Sequence, residues 1–497
     1  MTTVPPGPFV LTFDIGTSSL RTMLFDGDAR ALPGYEARAE TPTRATADGG
    51  VEIDADALLQ GLATCIDDLL AKAGPLADRI VAVAGATLVG NVLGVDANGH
   101  AITPVYTWAD TRSSAAAAEL RSKLDESAVH DRTGCLLRSS YLPAQLCWIK
   151  RTFPDLWPRV HLWMSAADYV YLQLFGSTAV SFSVASWSGM LDRRQLRWDP
   201  ELLDVSGITA DQLVLLVDRD MPFSGLQPPF AQRWPSLATL PWYPAVGDGA
   251  ASNTGCGCVH PHQMALALGT SGAVRVMVEH DIAPIPRGLW VYRVDRRHSL
   301  VGGALSEGGN LFAWLHETLK LEPDATSVES ELATLPPDGH RLTVLPFLAG
   351  ERSPGWHGSA RAVIAGLSLH TRPVEILKAG LESIGYRFAI LSQLVHEAVP
   401  MVTEVVASGG PIWHSPAWAQ IIADILGTPL QLSAETEATS RGVAILALSA
   451  LGKLQSLDQL PAAITHTCTP VPEHHATYQA GLARHQHLYD LLVAGSE

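Results

Sequence analysis

Cysteine is scarce in this 497-residue chain: Cys65, Cys135, Cys147, Cys256, Cys258 and Cys468 are scattered along it. That is too thin for a disulfide framework and fits a reducing compartment, with each thiol read as a small buried apolar group. Basic residues are also short, 34 Lys and Arg against 50 Asp and Glu, for a formal net charge of −16. Nucleic acid and anionic membrane surfaces both need a basic face, so neither is expected as the main partner. No uninterrupted apolar run reaches the roughly 18 residues a spanning helix requires, and the opening MTTVPPGPFV has no basic region leading into an apolar stretch. The expected location is the cytoplasm. No G-x-G-x-x-G string follows an initial strand, which leaves a dinucleotide oxidoreductase unsupported. Cys256-Gly257-Cys258-Val259-His260-Pro261-His262 lacks the usual C-x₂₋₄-C spacing and a second cysteine pair, so it is not read as a metal site, and His474-His475 reads as a polar loop.

What the chain does have is apolar material, 47% of residues against 17% charged, enough for large cores in two or three domains. Strands interleave with amphipathic helices, which indicates an α/β architecture. Phe9 to Phe13 and Leu20 to Phe25 are apolar runs around a turn, residues 57–73 carry leucines at helical spacing, and Ile80 to Ala84 reads as a buried strand. The opening device returns later: Ala265 to Leu268, then Gly269-Thr270-Ser271-Gly272, then an outgoing strand to Met277. Two such hairpins suggest two domains of similar design facing one ligand. The Pro-rich stretch 221–246 is the natural boundary, giving domains at 1–245 and 246–497. In the second, a helix is expected over about 308–319 and another over 374–395. A strand at 402–407 is broken by Ser408-Gly409-Gly410 before the next helical pattern.

Three segments hold residue types suited to chemistry. Asp14 ends a buried strand directly before Gly16-Thr17-Ser18, a turn whose N–H and hydroxyl groups can meet phosphate oxygens, with Arg21 as a nearby cation. Asp14 itself would hold Mg²⁺, through water; a hairpin turn with a solvated aspartate is the plain alternative. Asp248, glycine-flanked in Gly247-Asp248-Gly249, can accept a hydroxyl proton and help position the metal, or simply cap a helix. Trp108-Ala109-Asp110-Thr111-Arg112 combines a flat apolar face, an acceptor and a forked donor, as a sugar-like ligand needs; a surface ion pair between Asp110 and Arg112 is its plain alternative.

Taken together, DIGTS at 14–18, GDGAASNTG at 247–255, LGTSG at 268–272 and ASGGPIWHSPAWAQIIADILGTPL at 407–430 resemble the FGGY family of carbohydrate kinases. The resemblance implies two actin-like, ribonuclease-H-like ATPase domains with a ligand cleft between them, and ATP with Mg²⁺ as cofactors. It implies that Gly16, Thr17 and Ser18 form one phosphate loop and Gly269, Thr270 and Ser271 the other. Gly309, Gly409 and Gly410 would border the nucleotide, and Asp248 would be the catalytic base. TWADTR, GGALSEGGN and LPFLAGERSP are most similar to the gluconokinase branch, which makes D-gluconate the expected acceptor and 6-phosphogluconate the product. Arg112, Arg275 and Arg352 are the candidate partners for its carboxylate. One departure stands out: where relatives carry a sugar-contacting histidine, this chain has Gly90. A neutral ketose or polyol such as xylulose is the alternative acceptor, and a nucleotide-dependent sugar sensor without turnover is a third reading. A homodimer is compatible with the sequence, which does not itself specify an oligomeric state.

Overall fold

The apolar run after residue 8 becomes β1 (Phe9–Ile15), paired across the Gly-Thr-Ser turn with β2 (Ser19–Phe25) in a register that sets Asp14 opposite Arg21. The computed structural model of the protein describes residues 7–322 and 324–496; residues 1–6, at the start of the stretch read for a leader, lie outside them. β3 (Ala31–Glu40) extends the hairpin outward. Helix α1 (Ala55–Ala73) starts where the Asp54 side chain accepts the Ala57 N–H, and it buries Leu58, Leu62, Ile66 and Leu69 along one face. β4 (Ile80–Thr87) and β5 (Trp242–Gly247) then add in parallel, for a sheet ordered β5-β4-β1-β2-β3. Residues 88–241, inserted between these two strands, build a small core of their own around Leu142, Leu146, Trp163 and Leu202.

α2 (Asp248–Gly255) follows β5 without a break. The second half then runs β6 (Gln263–Leu268), β7 (Gly272–Val278), β8 (Trp290–Arg293), β9 (Ser299–Leu305), α3 (Gly309–Thr318) and α4 (Pro373–Ala398). It continues through β10 (Glu404–Ser408), α5 (Gly410–His414), α6 (Pro416–Leu426), β11 (Leu430–Ser433), α7 (Ala438–Ala450), β12 (Ile464–Cys468) and α8 (Pro472–Leu492). Its seven-stranded sheet is ordered β8-β9-β7-β6-β10-β11-β12. Each half thus contains an antiparallel hairpin followed on one side by two parallel strands, β2-β1-β4-β5 and β7-β6-β10-β11. The repeat of the Gly-Thr-Ser turns is a repeat of topology.

Two expectations change. The boundary at 245/246 falls inside β5, because Val246 and Gly247 pair with Ala86 and Thr87 and so continue the first sheet. His474 and His475 lie in the first turn of α8, not in a loop: Pro472 opens the helix, and both imidazoles bond Asp424 through Nδ1, at its carboxylate (2.8 Å) and its carbonyl (2.9 Å).

Each half has its own apolar core, and a third lies between them, where Ala250 and Ala251 of α2 meet Val443, Ala444 and Ala447 of α7. The approach is limited by main chain. A Cβ on Gly255 would strike the Ala438 carbonyl, and one on Gly442 would strike the Ala251 carbonyl. No helix among the described residues is long and apolar enough to cross a membrane.

Candidate active site

β5 delivers Asp248 to the opening between the halves as the first residue of α2, where the helix N-terminus favours a negative charge. Its Oδ1 accepts the Gly249 N–H at 2.7 Å. Burial raises its pKa, while Arg275, the Gly249 amide and Arg352 pull it back down. Arg275 comes from β7 of the second half, and its Nε is buried without a hydrogen-bond partner. Behind them stands an aromatic wall built from both halves: Trp187 stacks on Tyr292 with centroids 3.7 Å apart, and the Tyr292 hydroxyl meets that of Tyr141 at 2.6 Å.

The two Gly-Thr-Ser turns are constructed alike. In the first, Gly16 N–H donates to the Ser19 carbonyl (3.0 Å), while Thr41 and Thr43 hydroxyls bond the carbonyls of Gly16 (2.7 Å) and Thr17 (3.0 Å). In the second, Gly269 N–H donates to the Ser271 carbonyl (3.0 Å), and the N–H groups of Gly309 and Asn310 take the carbonyls of Gly269 (2.8 Å) and Thr270 (3.1 Å). With their acceptors turned inward, both turns offer amide and hydroxyl donors, the polarity an anion needs.

Asp14 ends β1 beside the first turn. Its Oδ1 is shut off from solvent with no hydrogen-bond partner. Burial, then the charge of Asp248, push its pKa up to about 7 against the opposing pull of Arg21, with Glu437 adding to the rise. An orphaned carboxylate oxygen next to a second carboxylate is a donor set that suits a hard divalent cation. Arg21, expected as a phosphate cation, pairs with Glu437 of the second half at 2.7 Å.

Beyond the second turn lies a cavity of about 410 Å³. Gly309, Phe312 and His316 of α3 line one side, Val328 and Leu332 another, and Gly410, Pro411 and Trp418 a third. Gly409, at φ 116°, turns the chain from β10 into α5 against the Leu268 carbonyl, which a Cβ would strike. The largely apolar walls and flanking donor turn give room for a flat heterocycle with its phosphates outside.

The Trp108 segment is arranged differently from expectation. Asp110 and Arg112 satisfy each other (2.6 Å), and Glu52 joins them at 2.7 Å. This is a buried pair, with Asp110 only 2% exposed, not a surface one. What the segment brings to the first Gly-Thr-Ser turn is the indole, whose Nε1 donates to Thr17 Oγ1 at 3.4 Å.

The family model of the FGGY carbohydrate kinases matches the chain twice, the N-terminal domain over residues 9–255 and the C-terminal domain over 264–451. The chain belongs to the FGGY family of carbohydrate kinases. Gluconokinase of Bacillus subtilis (strain 168) is 27% identical over 486 residues, covering 95% of this chain and 93% of that protein. Xylulose kinase of Lactococcus lactis subsp. lactis (strain IL1403) is 24% identical over 485 residues, covering 95% and 94%. In fold, the crystal structure of gluconate kinase from Lactobacillus acidophilus superposes with a TM-score of 0.91 at 24% identity, covering 97% of this chain and 98% of that one.

As an FGGY kinase, this protein is an ATP-dependent carbohydrate kinase with two ribonuclease-H-like, actin-like halves. The fold groups Gly269, Thr270, Ser271, Gly309, Gly409 and Gly410 around one cavity edge, and Asp14, Gly16, Thr17, Ser18 and Arg21 around the other turn. Missing from the sequence reading were Glu437, which holds Arg21, the wall of Trp187, Tyr141 and Tyr292, and the cavity residues Phe312, Val328, Leu332 and Trp418. Gly90 sits at φ 65°, and a Cβ there would lie 2.9 Å from the Ser140 carbonyl and 3.1 Å from Trp108 Cβ. A histidine has no space at that position.

Proposed function

We propose that this kinase phosphorylates the terminal hydroxyl of a sugar acid, D-gluconate to 6-phosphogluconate. The observation that carries the reading is Asp248: a carboxylate with raised basicity, at a helix N-terminus, acted on by two arginines and itself acting on Asp14. The acceptor hydroxyl rests against the Trp108 side of the opening and gives its proton to Asp248 as its oxygen attacks the γ-phosphorus of ATP. The bond from that phosphorus to the β,γ-bridging oxygen breaks, and ADP leaves with the electron pair. The turns at 16–18 and 269–271 hold the phosphates by amide and hydroxyl donors, and the cavity beside Gly309, Gly409 and Gly410 receives adenosine. Asp14, with Asp248, would hold Mg²⁺, which neutralises phosphate charge when bound. The walls exclude water that would otherwise take the phosphoryl group.

The sugar-acid assignment follows the similarity to gluconokinases; the xylulose kinase relative keeps a neutral ketose as the second reading. Turnover of D-gluconate, D-xylulose and polyols, read by ADP release, separates them. Phosphorylation of neutral acceptors alone removes the gluconate assignment, and ATP hydrolysis indifferent to any acceptor removes the kinase reading in favour of a sensor. Asp248→Asn is expected to lower kcat by about 10³-fold or more while ATP binding, measured by calorimetry, stays near the wild-type value. Unchanged turnover would exclude Asp248 as the base.

A further inference from the structure

Three arginines, Arg112, Arg275 and Arg352, are candidates to meet a carboxylate, and the structure distinguishes them. Arg112 is neutralised by Asp110 and Glu52, and its guanidinium lies over Trp148 at 4.6 Å. Arg275 is already engaged by Asp248, whose charge favours its protonated form against the effect of burial. Arg352 is neither. Its guanidinium lies 5.1 Å from the centroid of the Trp108 ring, so a cation of the second half covers an aromatic of the first. Among the described residues its side chain has no hydrogen bond or ion pair. In a chain with a net charge of −16, an arginine that makes no ion pair points to a ligand that brings a carboxylate.

The loop carrying it is fixed from behind. The adjacent Glu351 turns inward, where Arg387 of α4 binds one oxygen and the Tyr489 hydroxyl of α8 the other (2.7 Å). Ser353 N–H donates to the Ala304 carbonyl of β9 at 3.0 Å. Position relative to the reacting groups is also defined. Arg352 acts electrostatically on Asp248, Tyr141 and Tyr292, whereas the charges acting on Asp14 are Asp248, Arg21 and Glu437. Its contact with Trp108, whose Nε1 donates to Thr17 Oγ1 at 3.4 Å, sets Arg352 beside the first Gly-Thr-Ser turn as well as near Asp248.

We propose that Arg352 is the specificity-determining residue that binds the carboxylate of an aldonic-acid acceptor across the Trp108 ring. A guanidinium placed over an indole keeps its N–H donors free for bidentate pairing with a carboxylate. Because Trp108 and Arg352 belong to different halves, the same contact draws the halves together over an acidic substrate. The inference rests on the sugar-acid kinase reading given above.

Steady-state kinetics of Arg352→Met and Arg352→Lys, with D-gluconate, D-xylulose and ATP each varied, test it. Arg352→Met is expected to raise KM for gluconate about 10- to 100-fold, the worth of a charge-assisted hydrogen bond, with kcat and the ATP KM within about 3-fold. Arg352→Lys, which keeps the charge and the stem, is expected to recover part of the loss and keeps the test open if the Met variant does not fold. An unchanged gluconate KM overturns the proposal while leaving the gluconate reading intact. An equal fall in kcat for every acceptor also overturns it, since Arg352 would then be stabilising the transferring phosphoryl group. A wild-type enzyme active only on neutral acceptors removes both readings together.

Discussion

Asp14 is held against its own ionisation. Its pKa is about 7 in the folded protein against 3.8 for an exposed aspartate, so the folded state binds the proton more tightly between those values. Stability is therefore lost as pH rises through that window. In the presence of a chelator, Asp14→Asn should melt above the wild type at pH 8, by a stability gain on the order of 1 kcal/mol or more, and close to it at pH 4. Equal melting temperatures at pH 8 would mean that the buried charge is not destabilising. The same reasoning predicts that Mg²⁺ displaces a proton: its stabilisation of the wild type should grow from pH 6 to pH 8 and be missing in Asp14→Asn. Much of this site was legible, because a carboxylate at the end of an apolar run before Gly-Thr-Ser is a local pattern. The partner of Arg21 was not, since Glu437 is 416 residues away and nothing around it marks the pairing.

Elements were read well where periodicity is strong and poorly where proline interrupts it. The helix expected over 374–395 is α4 (Pro373–Ala398), and the break at Ser408-Gly409-Gly410 stands between β10 and α5 as anticipated. β5 was taken for part of a linker because Pro244 lies in its middle. The sheet tolerates that proline because β5 is an edge strand and its pairing with β4 is irregular between Tyr243 and Val246, so the missing N–H interrupts no regular ladder. Gly409 shows how narrowly such a junction is built. Gly409→Ala would force a Cβ into the Leu268 carbonyl at a φ of 116°. The expected result is destabilisation by about 1–3 kcal/mol in chemical denaturation, with a raised KM for ATP and little change for the acceptor. A change confined to the acceptor KM would show that this turn does not border the nucleotide.

Across the whole molecule the two halves are joined unequally. On one side β8 is fastened to the first half: the His130 ring donates to the Leu289 carbonyl (2.8 Å), Val291 N–H to the Gly134 carbonyl (3.0 Å) and Arg293 N–H to Ser186 Oγ (2.9 Å). At the first Gly-Thr-Ser turn the Arg21–Glu437 pair, with side chains 31% and 33% exposed, is a far weaker tie. The contact of α2 with α7 also joins the halves, and a pivot for closure at this contact is tested by widening it. Gly442→Ala should wedge the helices apart, lowering kcat about 10-fold or more while each substrate alone still binds. Small-angle scattering should then lose the compaction that the wild type shows with both ligands present. Undiminished compaction would place the pivot elsewhere.

That contact also limits what evolution or a screen can repair. The atoms facing Gly255 and Gly442 are the carbonyls of Ala438 and Ala251, which every amino acid carries. A methyl added at either glycine has no side chain opposite it to be trimmed, so second-site suppressors at 251 or 438 should not arise. A Cβ on either glycine would also lie 2.9 Å from the other's amide nitrogen, so the two are constrained together, and reversion is the expected route back to activity.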